Sequence, residues 1–211
     1  KWTLCNQLSI PLYALTYRDK EDSIAVFEIS FKDEMRSEPL KGLYLTQFPE
    51  WWISIKGTKQ TKPVYEPRAD SIFDRLLAEK GLAWGGNLDG FLLDQAAHTT
   101  QAICEIRCTD KYPLEVYDPA VFFKGTSWKI GDYHTWEPLV LLAMRLNVPL
   151  FLVTIEGASK LDRAGFAIVD TLSRQSLLYR SGPPFKSILQ EVDSIRNEIV
   201  SRLGETPPSV E

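Results

Sequence analysis

Leu88-Asp89-Gly90-Phe91-Leu92-Leu93-Asp94, then a short polar break, then Gln101-Ala102-Ile103-Cys104-Glu105-Ile106-Arg107-Cys108, is the stretch whose reading decides the fold. Successive side chains of a strand point to opposite faces, so Glu105 and Arg107 share one face while Cys104, Ile106 and Cys108 share the other. One face is chemical and the other is for packing. If the first segment is the antiparallel neighbour of the second, Asp89 comes beside Glu105. Two carboxylates held close repel unless a cation lies between them, so the pattern predicts a divalent metal.

The text on either side supports a layered αβ unit. Before the two strands, Ile72, Phe73, Leu76 and Leu77 recur at helical spacing between Arg68 and Lys80, with Asp70 and Ser71 as caps and Gly81 at the end. After them, Asp132 to Asn147 reads as a helix that is apolar nearly all round in its second half. It passes into Val148-Pro149-Leu150-Phe151-Leu152-Val153-Thr154-Ile155, a continuous apolar run of the kind buried on both faces of a sheet. Phe166–Val169 and Ser176–Tyr179 add a hairpin, and Phe185 to Leu203 reads as an amphipathic helix with Ile188, Leu189, Val192, Ile195 and Ile199 on one stripe.

The front of the chain is β-rich. Pro11–Tyr17 and Ser23–Phe31 flank a charged turn and read as a hairpin, with further strands at Gly42–Leu45 and Trp51–Ile55. A loop with lysines at 56, 59 and 62 marks a boundary. The expected organisation is a β-rich unit at 1–65, an α/β core at 66–203, and a tail or linker at 204–211, where Gly204-Glu205-Thr206-Pro207-Pro208 has linker composition.

Composition narrows the functional classes. With 28 acidic against 24 basic residues the 211-residue chain carries a formal charge of −4, so any nucleic-acid surface is local rather than global. Three cysteines, two of them four apart on the inward face of one strand, argue against a disulfide scaffold and for a reducing compartment. No apolar run reaches transmembrane length and no signal pattern opens the chain, so the expectation is a cytoplasmic protein, or a nuclear one in a eukaryote, without membrane partners. The chain reads as a segment of a longer polypeptide, with other domains or subunits as partners.

Helix, Asp-bearing strand, Glu-x-basic strand, helix, apolar strand is an order that resembles the PD-(D/E)XK nuclease superfamily over about Arg68 to Ile155. The resemblance implies a restriction-endonuclease-like fold of α/β (α+β) class: a mixed central sheet flanked by helices, here with the N-terminal β-rich subdomain in front. It implies hydrolysis of phosphodiester bonds by Mg²⁺- or Mn²⁺-activated water, with nucleic acid, DNA above all, as substrate. Asp89 and Glu105 match its metal-binding acids, the backbone carbonyl of Ile106 its third ligand, and Arg107 stands at the place of its Lys; the plainer reading is that Asp89-Gly90 is a turn and that Glu105 pairs with Arg107 or solvent. Asp74 and Glu79, on the first helix, are the acids available to join the site as one does in some branches, with a solvated helix face as the plainer role.

Arg107 is the departure that matters. A guanidinium stays protonated and forks onto phosphate, but it does not take a proton from water as a neutral amine can. Three outcomes stay open: an active enzyme in which the metal supplies the hydroxide, one in which Lys124 or Lys129 reaches the site, or a domain that keeps binding or assembly after losing catalysis. A protein-interaction module docking through Trp51 and Trp52 is the reading unrelated to nucleic acid.

Other candidates are weighed against plainer roles. Asp94 is an added ligand or a turn residue. His134, with Tyr133 and Trp136, opens a helix where an anion can sit, or is an ordinary helix-start residue. Cys104 and Cys108 fall about 13 Å apart along a strand, too far to share zinc, and read as buried core. Lys56, Lys59 and Lys62, with Lys124, Trp128 and Lys129, are the basic and aromatic clusters suited to a nucleic-acid backbone, or solvated loops.

Overall fold

The computed structural model describes residues 2–17, 23–31, 35–44, 46–56, 77, 82, 88–109, 114, 133–156, 163–180 and 189–211. The chain divides into two compact units, Lys1–Gly86 and Asn87–Glu211.

The first unit opens with helix α1 (Trp2–Leu8), in a region that the sequence reading took as part of a β-rich unit. It ends with Ser9 at φ 53° and with Ile10 N–H donating to Cys5 O, a left-handed closure that satisfies the last carbonyls. Strands β1 (Leu12–Tyr17), β2 (Ser23–Phe31) and β3 (Met35–Tyr44) then form an antiparallel meander in that order. Pro39 lies in edge strand β3, beside the bulge at Val26/Phe27, where a missing N–H costs least.

Trp51-Trp52-Ile53-Ser54-Ile55 is not a strand. It belongs to helix α2 (Phe48–Lys56). Alternation would have sent the adjacent tryptophans to opposite faces, whereas helical spacing puts Phe48, Trp51 and Trp52 on one side. Phe48 lies 5.9 Å from Trp51 and 5.7 Å from Trp52 between ring centres, and Tyr13 meets Trp51 edge-on at 5.9 Å. Both tryptophans are half-buried and pack against a core of Ile24, Val26, Leu43 and Phe48. Leu77 and Leu82, from the stretch assigned by sequence to the second unit, pack in this same core. Leu82 N–H closes back on Leu77 O at 2.8 Å, as at a helix end.

The second unit is a mixed α/β layer structure. Strands β4 (Gly90–Asp94), β5 (Thr99–Thr109), β6 (Leu150–Glu156), β7 (Arg163–Leu172), β8 (Leu177–Tyr179), β9 (Leu189–Glu191) and β10 (Ser209–Val210) form one seven-stranded sheet among the described residues. Its main path runs β10-β7-β6-β5-β4, with β8 and β9 also on β7. β4 and β5 are an antiparallel hairpin, β6 is parallel to β5, and β7 is antiparallel to β6. The crossover from β5 to its parallel neighbour carries helix α3 (Tyr133–Leu146).

Helix α3 ends on Asn147 at φ 56°, with Val148 N–H donating to Ala143 O and Asn147 N–H to Met144 O. That paired closure, followed by Pro149, turns the chain straight into β6. Leu150, Phe151, Leu152 and Thr154 are wholly buried, as a central strand requires. One sheet face carries Ala102, Cys104, Phe151, Ala164, Phe166 and Ile168, packed against Ile199 and Leu203 at the end of helix α4 (Val192–Ser201). The alternate residues of β5 and β6 face the other way, where α3 buries Trp136, Leu139, Val140 and Ala143.

Three further expectations are revised here. Cys108 is exposed, as is Ile106, so of the three residues on their shared face only Cys104 is buried. The terminal helix starts at Val192, preceded by strand β9, and residues 185–188 lie outside those described. Residues 204–211, of linker composition, fold back: Pro208 is buried, β10 runs parallel to β7, and Glu211 N–H donates to Leu172 O. Among the described residues no helix is long and apolar enough to cross a membrane.

Candidate metal centre

Strand pairing brings the two acids together. Gly90 is the first paired residue of β4 and stands opposite Cys104, so the next step of the register sets Asp89 against Glu105. Ile106 lies past the end of the ladder. Its N–H donates to Asp89 Oδ2 at 2.9 Å, so a side-chain carboxylate stands in for the carbonyl that a longer β4 would have offered.

Glu105 faces the α3 side of the sheet and is only 6% exposed. Burial pushes its carboxyl up to about 7; the Arg107 guanidinium pulls it back by charge and hydrogen bond, and the neighbouring Asp89 carboxylate pushes it up by both. The two acids are therefore close enough to contend for one proton or one cation. Arg107 Nε–H donates to Glu105 Oε1 at 3.1 Å, and the guanidinium carbon sits 5.0 Å from the centre of the Trp136 ring. Residues 105 and 107 thus do share a face, as strand alternation required.

Two polar groups beside Arg107 were not singled out from sequence as parts of the site. Thr154 pairs with Arg107 across β5 and β6. Its Oγ1 is buried, as is Trp136 Nε1, and neither finds a hydrogen-bond partner among the described residues. A signal was present in each case: a lone hydroxyl inside the apolar run 148–155, and an indole at the start of a helix that crosses the sheet.

The remaining candidates fall elsewhere. Asp94 Oδ1 accepts from Ala96 N–H and Ala97 N–H at 2.9 and 3.0 Å, which makes it the turn residue of the β4–β5 hairpin. It stands at the opposite end of β4 from Asp89, roughly 16 Å along an extended strand, and is no ligand to the same ion. His134 lies in the first turn of α3, its side chain outside those described. Lys56 ends α2, its side chain likewise outside. Asp74, Glu79, Lys59, Lys62, Lys124, Trp128 and Lys129 all lie outside the described residues.

Among the described residues no group of three or more His, Cys, Asp and Glu side chains gathers. Two carboxylates and a backbone carbonyl are the donor set to be judged. That set is all oxygen, which suits Mg²⁺ or Mn²⁺ and not zinc. The carbonyl is well directed: within a strand the N–H and C=O of one residue point to the same edge, and the Ile106 N–H points to Asp89. The residues present fit a hard divalent cation. The chain matches no family model, no curated protein and no solved structure.

Proposed function

We propose that residues 87–211 form a metal-dependent nuclease domain of restriction-endonuclease-like architecture, which holds Mg²⁺ or Mn²⁺ between Asp89, Glu105 and the Ile106 carbonyl and hydrolyses phosphodiester bonds of nucleic acid, with DNA the expected substrate. The observation that carries the reading is the meeting of a buried Glu105 with Asp89 at the open end of a strand ladder, with the Arg107 guanidinium beside them. The order of hairpin, helix α3 and parallel strand β6 supports it as well.

A bound divalent cation supplies Lewis acidity to a water and to a phosphoryl oxygen. The chain's own residues prepare for that chemistry. Asp89 is held in place by the Ile106 N–H, so one carboxylate is oriented before anything binds. Glu105, whose carboxyl is raised by burial and by the neighbouring Asp89, would be held in its ionised form by a bound cation. Arg107 contributes fixed positive charge toward a phosphate and holds its own proton throughout.

A second reading, binding without hydrolysis, is favoured by one observation: the basic residue is an arginine already engaged with Glu105. Incubation with a panel of DNA and RNA separates the two. The nuclease reading expects cleavage that needs Mg²⁺ or Mn²⁺, stops in EDTA and is lost in Glu105→Ala at an unchanged melting temperature. Retardation of nucleic acid in a gel without cleavage selects the binding reading, and cleavage that persists in EDTA rejects the metal mechanism.

A further inference from the structure

A guanidinium and a divalent cation compete for the same carboxylate when both lie on one small, largely buried patch. Arg107 Nε–H now occupies Glu105 Oε1 at 3.1 Å, and the two side chains keep only 18% and 9% of their surface in contact with solvent. The guanidinium is not held by Glu105 alone. The wholly buried Trp136 ring lies 5.0 Å below it, on a helix that the closure at Asn147 fixes against the sheet. Among the described residues Arg107 thus has an anionic and an aromatic contact, and the aromatic one remains if the anionic one is taken away.

Resting on the metal reading above, we infer that Arg107 is the resident counter-ion of Glu105, that a divalent cation loads by displacing its guanidinium from the carboxylate, and that Trp136 is the positioning residue that keeps the displaced guanidinium at the site. The physical reason is charge. A partly buried carboxylate without a counter-ion is costly, so the empty site is stabilised by an internal cation. A divalent ion entering beside that internal cation meets repulsion in a medium that screens it poorly. Cation affinity is consequently set below what Asp89, Glu105 and the Ile106 carbonyl would give by themselves. In the metal-free protein the Glu105 carboxylate is neutralised by Arg107, and a guanidinium displaced from it would turn toward a phosphate in the loaded state.

The test is a calorimetric Mn²⁺ titration of the full chain as wild type, Arg107→Gln, Asp89→Asn and Glu105→Gln. Arg107→Gln is expected to bind Mn²⁺ more tightly by about tenfold or more, the scale of one partly buried charge contact, while the two acid variants lose binding. Equal or weaker binding in Arg107→Gln, with the acid variants still losing it, overturns the displacement and leaves the metal centre standing. No binding in wild type and in Arg107→Gln overturns both.

A measurement on the wild type guards against a variant that folds poorly. The Arg107 Nε–Hε resonance, assigned by its loss in Arg107→Lys, should exchange slowly with solvent in the metal-free protein and lose that protection on saturation with Mg²⁺. Mg²⁺ should also change tryptophan fluorescence in wild type and not in Trp136→Phe. An Arg107 resonance that stays protected at saturating Mg²⁺ refutes the displacement.

Discussion

Asp89 accepts the backbone N–H of Ile106, seventeen residues further along the chain, at 2.9 Å, and this one bond orders the open end of the β4–β5 hairpin. It links a candidate ligand to the strand that carries the other candidate ligand. Fold and site are therefore coupled at this point, and the coupling can be measured.

Asp89→Ala removes the acceptor and should lower stability in urea unfolding by about 1 kcal/mol, the low end for a charge-assisted bond, since Asp89 is exposed and water replaces it in part. Asp89→Asn keeps an acceptor oxygen and should stay close to wild type. Both variants should lose Mn²⁺. Equal stability in all three proteins would mean that the bond contributes nothing to the fold.

Glu105 should make the metal-free protein less stable as pH rises. Its folded carboxyl titrates near 7 against an ordinary 4.5, so between those values the folded state binds more protons than the unfolded one. The stabilisation is full below about 4.5, is lost progressively up to about 7 and is flat beyond, with a span on the order of 3 kcal/mol. Glu105→Gln should remove the slope. Saturating Mg²⁺ should reverse it, because cation binding favours the ionised form.

Arg107→Lys should retain or increase cleavage, since lysine keeps the charge and can act as a neutral base as well. Arg107→Ala should be severely impaired. A wild type inert on every substrate, with Arg107→Lys gaining Mg²⁺-dependent cleavage, would mark a silenced nuclease.

Arg180 ties the C-terminal segment to the sheet, donating to Asp170 Oδ1 at 3.3 Å, Glu205 Oε2 at 2.9 Å and Thr206 O at 3.3 Å. These groups are partly exposed, so Arg180→Met should cost about 1 kcal/mol at low salt and less in 1 M NaCl. Removing residues 207–211, which include the buried Pro208, should cost more and show little dependence on salt.

Thiol labelling separates the cysteines of β5. Cys108 is exposed and should react readily, whereas burial pushes the Cys104 thiol up to about 11 and should protect it until the second unit unfolds. Rapid labelling of both would contradict the face on which Cys104 packs.

Local pattern alone determined the hairpin of β1 and β2, the buried strand β6 after α3, and the placing of Glu105 and Arg107 on one face. In each case the side-chain period of the element is written into adjacent residues, and nothing distant has to be known. Tertiary structure alone decided the rest. Trp51 and Trp52 are helical because a core of Ile24, Val26 and Leu43, with Tyr13 of β1 beside Trp51, receives them on one side. The segment 204–211 returns to the sheet and ends in the short strand β10 because β7 offers it an edge and Arg180 an anchor, neither of which shows in a run of Gly, Thr and Pro. Cys108 is exposed while Cys104, on the same face of the same strand, is buried, and the reach of a helix over a sheet is not a property of the strand below it. Trp136 and Thr154 stand beside Arg107 because α3 passes over β5 and β6 runs alongside it at that level. A sequence states which residues alternate along one strand; only packing states which side chain from another element completes the site.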